Sequence, residues 1–413
     1  MRRTTLTRDA ALIYAAGYIR STTVGLVGVV LAIYLSQIGL STAAIGVVIG
    51  SGLAGAAVAT LIVGLCGDAF GRQRTLMAIA VLSALGYLAF AASNRFAVLA
   101  AVAFFGMLNG MGRDRGAASA LEQAILPETT GPERRTLSLA WYNLGLDIGH
   151  ACGALAAVLP TVLISWLDVD QVSAHRWTFF ACAALSAATA VLYAGLSQRV
   201  EIHVSQDARL RPVPSDRSAR RVVGKLAALF GIDSIGGGLL SSALIAYWFF
   251  RRYGLSETEL AVLFFAARVL NAGSHLMAAW LARRIGLVNT MVFTHLPSSL
   301  FLIATPFAPS GAAATLLFLA REALVEMDVP TRQSYVMAIV RPHERTFASG
   351  VTNVTRTVAW AIGSILAGSM MQQMLAAPLF LGGALKIVYD VALYRAFRHM
   401  RPPEESVPMV VAR

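Results

Sequence analysis

Charge is scarce in this sequence: Asp, Glu, Lys and Arg make up 14% of it, and the 22 acids are outnumbered by 34 bases. A soluble domain devotes about a quarter of its residues to charge, so an ordinary water-facing surface is excluded for most of the chain. Cysteine is almost missing. Cys66, Cys152 and Cys182 lie within or at the end of apolar runs without CxxC spacing, which points to neither a disulfide framework nor a thiolate metal site. No GxxxxGK[ST] loop, GxSxG elbow or HExxH pair occurs. The phosphate cradle of ATP-driven pumps and the common hydrolytic motifs are therefore lacking. No cofactor, no metal and no enzymatic activity are expected.

What is there is apolar: 57% of residues are hydrophobic and the mean hydropathy is +0.65. Runs of about 20 to 30 apolar residues recur, each long enough as a helix to cross a hydrocarbon layer of roughly 30 Å. Twelve spans are expected, near 11–36, 42–66, 75–93, 96–125, 136–164, 176–197, 222–250, 257–282, 288–308, 311–340, 345–373 and 376–398. The fold class is thus an all-α membrane protein. The first run follows Arg2, Arg3 and Arg8 but is too long for a signal-peptide core, so it is expected to be retained.

The net charge of +12 does not point to nucleic acid, because the cations follow alternate loops. Arg72, Arg74, Arg134, Arg135, Arg283, Arg284, Arg341 and Arg345 fall on the side of the termini, whereas the opposite loops hold Arg95, Arg176, Arg251 and Arg252. That asymmetry predicts cytoplasmic termini and a cell (inner or plasma) membrane location. The partners expected are the lipid bilayer, a small-molecule substrate and protons, with no nucleic acid, and the chain is expected to be monomeric.

Residues 198–221, QRVEIHVSQDARLRPVPSDRSARR, are polar, basic and interrupted by Pro212 and Pro214. They read as a cytoplasmic linker between an N-terminal bundle, 1–197, and a C-terminal bundle, 222–413. Across the linker the sequence repeats at an offset of 215: Gly39-Leu40-Ser41 matches Gly254-Leu255-Ser256, Gly71 matches Gly286, and Pro127 matches Pro342. The offset then slips to 210, where Arg135-Thr136 matches Arg345-Thr346 and Gly153 matches Gly363. Two pseudo-symmetric six-helix halves are the expectation.

The loop after the second span, GLCGDAFGRQRTL, resembles the loop signature of the major facilitator superfamily, with Gly64, Asp68, Gly71 and Arg72 on its fixed positions and Ala69 in place of the usual base. The resemblance implies a latch between the halves: Asp68 would meet a neighbouring helix end while Gly71 turns the chain. In the fifth span GLDIGHACGA resembles the glycine motif of the antiporter branch through Gly145, Gly149 and Gly153, with His150 where the motif has proline. Taken together, the resemblance implies a secondary transporter, and its second motif implies proton-coupled efflux of drug-like molecules.

Ionisable groups stand inside the spans: Arg20, Arg113, Arg115, Arg268, Arg321, Arg332, Arg356 and Lys386, against Asp114, Glu122, Asp147, Asp233, Glu322, Glu326, Asp328 and Asp390. Each would cost about 2.5–3.5 kcal/mol facing lipid at mid-span, so they are expected to face one another or a wet cavity. Helical spacing proposes the pairs Lys386–Asp390, Asp328–Arg332 and Asp147–His150. Glu122, about a turn from a span end, is expected to reach water. In the superfamily the first, fourth, seventh and tenth spans line the cavity, which implies roles for Arg20, the Arg113–Asp114–Arg115 group, Asp233, and Arg321 through Asp328. Arg268 and His275 form a secondary polar stripe. Free cavity arginines would instead favour an anion transporter. A membrane enzyme or receptor is the remote alternative.

Overall fold

The computed structural model describes residues 7–114, 116–130, 135–201, 217–329, 331–332 and 345–397. All regular structure among them is helical. The helices are α1 (Arg8–Gln37), α2 (Thr42–Phe70), α3 (Arg72–Ala91), α4 (Phe96–Gly106), α5 (Ala117–Thr130), α6 (Arg135–Leu155), α7 (Leu159–Leu167), α8 (Gln171–Ala194), α9 (Arg217–Leu239), α10 (Ser242–Tyr253), α11 (Glu257–Ile285), α12 (Leu287–Ala304), α13 (Gly311–Val325), α14 (Arg345–Gln373) and α15 (Ala377–Phe397). Among the described residues nine segments are long and apolar enough to cross a membrane. The protein is an all-helical, multi-pass membrane protein of the expected class. Several helices start at polar caps written in the sequence: Thr7, Ser41, Asp170 and Ser310 each accept a backbone N–H three residues on, satisfying a donor that the first turn leaves open.

Among the described residues, three spans expected to be continuous are interrupted by non-helical residues. The fourth splits at Met107–Gly116 into α4 and α5, the seventh at Leu240–Ser241 into α9 and α10, and the tenth loses its α-helical bonding at Glu326–Met327. In the fourth, Gly106, Gly110, Gly112 and Gly116 lower helix propensity by about 1 kcal/mol apiece relative to Ala. Asn109 then offers the chain another bonding pattern: its Nδ2 donates to Arg113 O at 2.7 Å while its Oδ1 accepts from Met111 N at 2.8 Å. Gly236, Gly237 and Gly238 precede the break in the seventh. The two breaks serve each other, since Ala243 N donates to Gly110 O at 3.0 Å and Ser242 Oγ to Met111 O at 2.9 Å. Backbone groups freed in an apolar layer must find such partners.

The described residues form two compact units. The first is drawn from Met1–Leu210, Leu240–Phe265 and Ala361–Leu375, the second from Arg211–Leu239, Ala266–Trp360 and Ala376–Arg413. In the first, α1 lies tight against α6: a Cβ added at Gly149 would meet Tyr18 O at 2.6 Å, and one added at Gly153 would come closer still to Thr22 O. The glycine motif of the fifth span thus packs helix on helix. At the end away from the N-terminus, Gly46 of α2 faces Gly368 of α14, where an added Cβ would come within 2.7 Å of backbone.

Candidate functional sites in two buried ion clusters

Among the described residues, each unit holds a network of buried charge that draws on several helices. In the first unit Arg20 of α1 is the hub. Its Nε donates to Asp114 Oδ2 at 2.5 Å, and its Nη1 and Nη2 donate to the two oxygens of Glu122 at 3.0 and 2.6 Å. Tyr142 of α6 and Tyr193 of α8 add their hydroxyls to Glu122 at 2.6 and 2.7 Å. Glu122 is 0% exposed, so the expectation that it reaches water is overturned. Its carboxylate receives four donors, which is what ionised oxygen needs away from water. The break in the fourth span is what turns Asp114 to Arg20. His150 Nε2 accepts the Asp114 backbone N–H at 2.8 Å, so the neutral ring carries its proton on Nδ1. His150 is thus tied to the broken segment of the fourth span.

The second unit holds a longer chain of contacts. Asp233 of α9 accepts from Lys386 Nζ of α15 at 2.8 Å and from Arg332 Nη1 at 3.1 Å. Arg332 also pairs with Asp328 at 3.0 Å, the i,i+4 pair that helical spacing proposes, and its Cζ lies 5.2 Å from the centre of the Phe230 ring. Lys386 and Asp390, expected to pair with each other, do not. Asp390 is held instead by His295 Nδ1 of α12 at 2.9 Å, and Lys386 Nζ stands 3.3 Å from His295 Nε2. An ammonium only donates, so Nε2 must accept and Nδ1–H must donate to Asp390. The imidazole in this arrangement is neutral. Two cations then face three carboxylates, Asp233, Asp328 and Asp390, all buried.

Nearby in the same unit, Arg321 pairs with its neighbour Glu322, whose Oε2 also accepts from Asn271 Nδ2 of α11 at 3.0 Å. Glu326 is buried at the end of α13. Arg113, Asp147, Arg268, His275 and Arg356 are half-buried, with Arg356 Cζ 5.2 Å from the Trp360 ring centre. Arg115 and the Asp68 side chain lie outside the described residues.

At the loop signature Gly71 has φ +91°, a conformation open to glycine, and so allows the turn into α3. Gly64 has open space beside it. Arg72 is buried. Its backbone N–H and that of Gln73 both donate to the Glu201 carboxylate, at 2.7 and 3.0 Å, an anion on a helix N-terminus. Gln73 Nε2 in turn donates to the carbonyls of Tyr193, Ala194 and Leu196, closing the end of α8. Sequence reasoning missed Glu201, Tyr193 and His295, and read Tyr142 as a cavity-lining aromatic rather than as a partner of Glu122. Only His295 carried a readable signal, being an ionisable residue inside an expected span.

Comparison with known proteins follows the same lines. The family model described as Major Facilitator Superfamily matches residues 13–405. An uncharacterized membrane protein of Saccharomyces cerevisiae, YJR124C, is 26% identical over an alignment 391 residues long that covers 87% of this chain and 87% of its own. Among solved structures, a D-xylose-proton symporter is similar at a TM-score of 0.74 and 14% identity, covering 94% of this chain and 97% of its own. The nucleoside transporter NupG is similar at 0.71 and 14%, covering 95% and 100%. A bacterial homologue of the human lysosomal transporter Spinster, inward-facing and occupied, is similar at 0.69 and 16%, covering 94% of each. At these identities the likeness is one of fold.

Proposed function

The chain belongs to the Major Facilitator Superfamily, and from that premise we propose that it is a secondary active transporter working by alternating access, exporting small, uncharged or weakly charged organic molecules in exchange for protons. One observation carries the choice of substrate class: deep charge is committed inside the protein. Arg20, Arg332 and Lys386 each hold a carboxylate of the chain itself. A guanidinium whose fork is already occupied by a carboxylate has little left for an anionic solute, which weighs against the anion-transport alternative.

Proton coupling is assigned to His295 and Asp390. They sit where carboxylates outnumber cations, and a proton taken up at His295 Nε2 would face the Lys386 ammonium. Two donors then oppose each other, Lys386 is released from the ring, and the hold on Asp233 changes. Asp114 and Glu122 form the matching buried acid pair of the first half, and Gly64, Asp68, Gly71 and Arg72 the cytoplasmic latch. Arg113, Arg115, Asp147, Arg268, Arg321, Glu322, Glu326 and Arg356 are assigned to lining the path of the solute. The basic loops support cytoplasmic termini in the cell membrane. The working form is taken to be a monomer.

The test is reconstitution. Candidate solutes are ranked by the rise in melting temperature they give the purified protein, and the leading ones are then offered to proteoliposomes with an imposed pH gradient. Accumulation against the solute gradient that collapses with an ionophore is expected for neutral or weakly basic solutes. Transport that ignores the pH gradient, or that is confined to anions, would overturn the reading.

A further inference from the structure

At the end of the first unit away from the N-terminus, His175 in the first turns of α8 meets Glu257 in the first turn of α11. The ring is 0% exposed and stacks on Tyr34 of α1, with centroids 5.8 Å apart and planes at 24°. Nδ1 lies 2.8 Å from Gln171 O. A carbonyl only accepts, so Nδ1 carries a hydrogen. Nε2 then holds a lone pair in the neutral ring, yet it stands 3.0 Å from Glu257 Oε1. The pair is close but not aligned for a hydrogen bond, and Nε2 and Glu257 Oε2 have no other hydrogen-bond partner among the described residues. Two acceptors at that separation repel, with the ring itself shut off from water and the Glu257 side chain 10% exposed. One added proton, on the imidazole or on the carboxyl, turns repulsion into attraction.

Other charged groups lie close to it in sequence. Arg176 donates from Nη2 to Asn94 at 2.9 Å, while its buried Nε has no hydrogen-bond partner among the described residues. Asp170 accepts from Ser173, and Glu259 from Ser256. Arg251 and Arg252 are exposed at the end of α10, and Tyr34 Oη has no hydrogen-bond partner among the described residues.

We propose that His175 and Glu257 form a proton-binding latch: packing α8 against α11 captures one proton from the adjoining solution, and separating them returns it. Falling pH on that side therefore favours closure. The proton serves the gate, independently of the one assigned to His295, and the inference draws on the transport reading only for the idea that this end opens.

The test uses the full chain without Cys66, Cys152 and Cys182, in lipid nanodiscs without a gradient, with spin labels at Ala92→Cys and Thr258→Cys, both exposed positions. The ratio of short to long distances is expected to rise by up to about tenfold per unit fall in pH, as one linked proton requires. His175→Gln and Glu257→Gln should each flatten that slope by one proton, while His295→Gln leaves this contribution in place. Glu257→Gln, at a partly exposed first turn, decides the matter if His175→Gln fails to fold. A flat response in the starting protein, or an unchanged slope in Glu257→Gln, overturns the latch. Loss of gradient-driven flux with the slope intact overturns the transport reading alone.

Discussion

The two ion clusters, one in each unit, bury charge beside charge of opposite sign, but they are wired differently. The first cluster is a hub, in which one guanidinium serves both carboxylates. The second is distributed, with Asp233 held from two sides and Asp390 backed by an imidazole.

That contrast predicts unequal fragility. Arg20→Met strands two buried carboxylates at once. It is expected to cost about 3–5 kcal/mol, the range for removing one partner of a buried pair, read as a large fall in melting temperature or loss of folded protein. Lys386→Met leaves Arg332 on Asp233, so about half that, roughly 2 kcal/mol, is expected; an equal loss in both variants would erase the hub-against-chain distinction. His295→Gln keeps a polar side chain but cannot be protonated near neutral pH. Gradient-driven flux is expected to drop about tenfold, about 1.4 kcal/mol, with solute exchange in the absence of a gradient retained. Tyr142→Phe removes one of four donors to Glu122, and about 1 kcal/mol or less is expected. A larger loss would mean that the hydroxyls, rather than Arg20, hold the cluster together.

The helical class, the spans and the deep charges were legible in the sequence, because each is a property of composition or local period. Arg20, Asp114 and Asp233 stood out as ions in apolar runs, and Asp328–Arg332 as a helical pair. What brings Arg20 to Glu122 and Tyr193 was not legible, since those partners lie on two other helices and tyrosines in an apolar run have no distinctive spacing. The same limit misassigned Lys386 and Asp390. They are four apart, yet better-placed partners on α9 and α12 take them. The broken fourth span was hidden for a different reason: the apolar residues on either side of Gly106–Gly116 read as one run, whereas the backbone between them responds to glycine and to the side chain of Asn109.

The mutual service of the two broken spans has a consequence for any cycle of movement. If α10 withdraws from the fourth span, the carbonyls of Gly110 and Met111 lose their donors, and each stranded acceptor costs about 1–3 kcal/mol until something replaces them. Departure is therefore tied to arrival. Water, or a solute bearing hydroxyl or amino hydrogens, has to step in as the helix leaves, so a fully dehydrated opening of this seam is energetically closed to the protein.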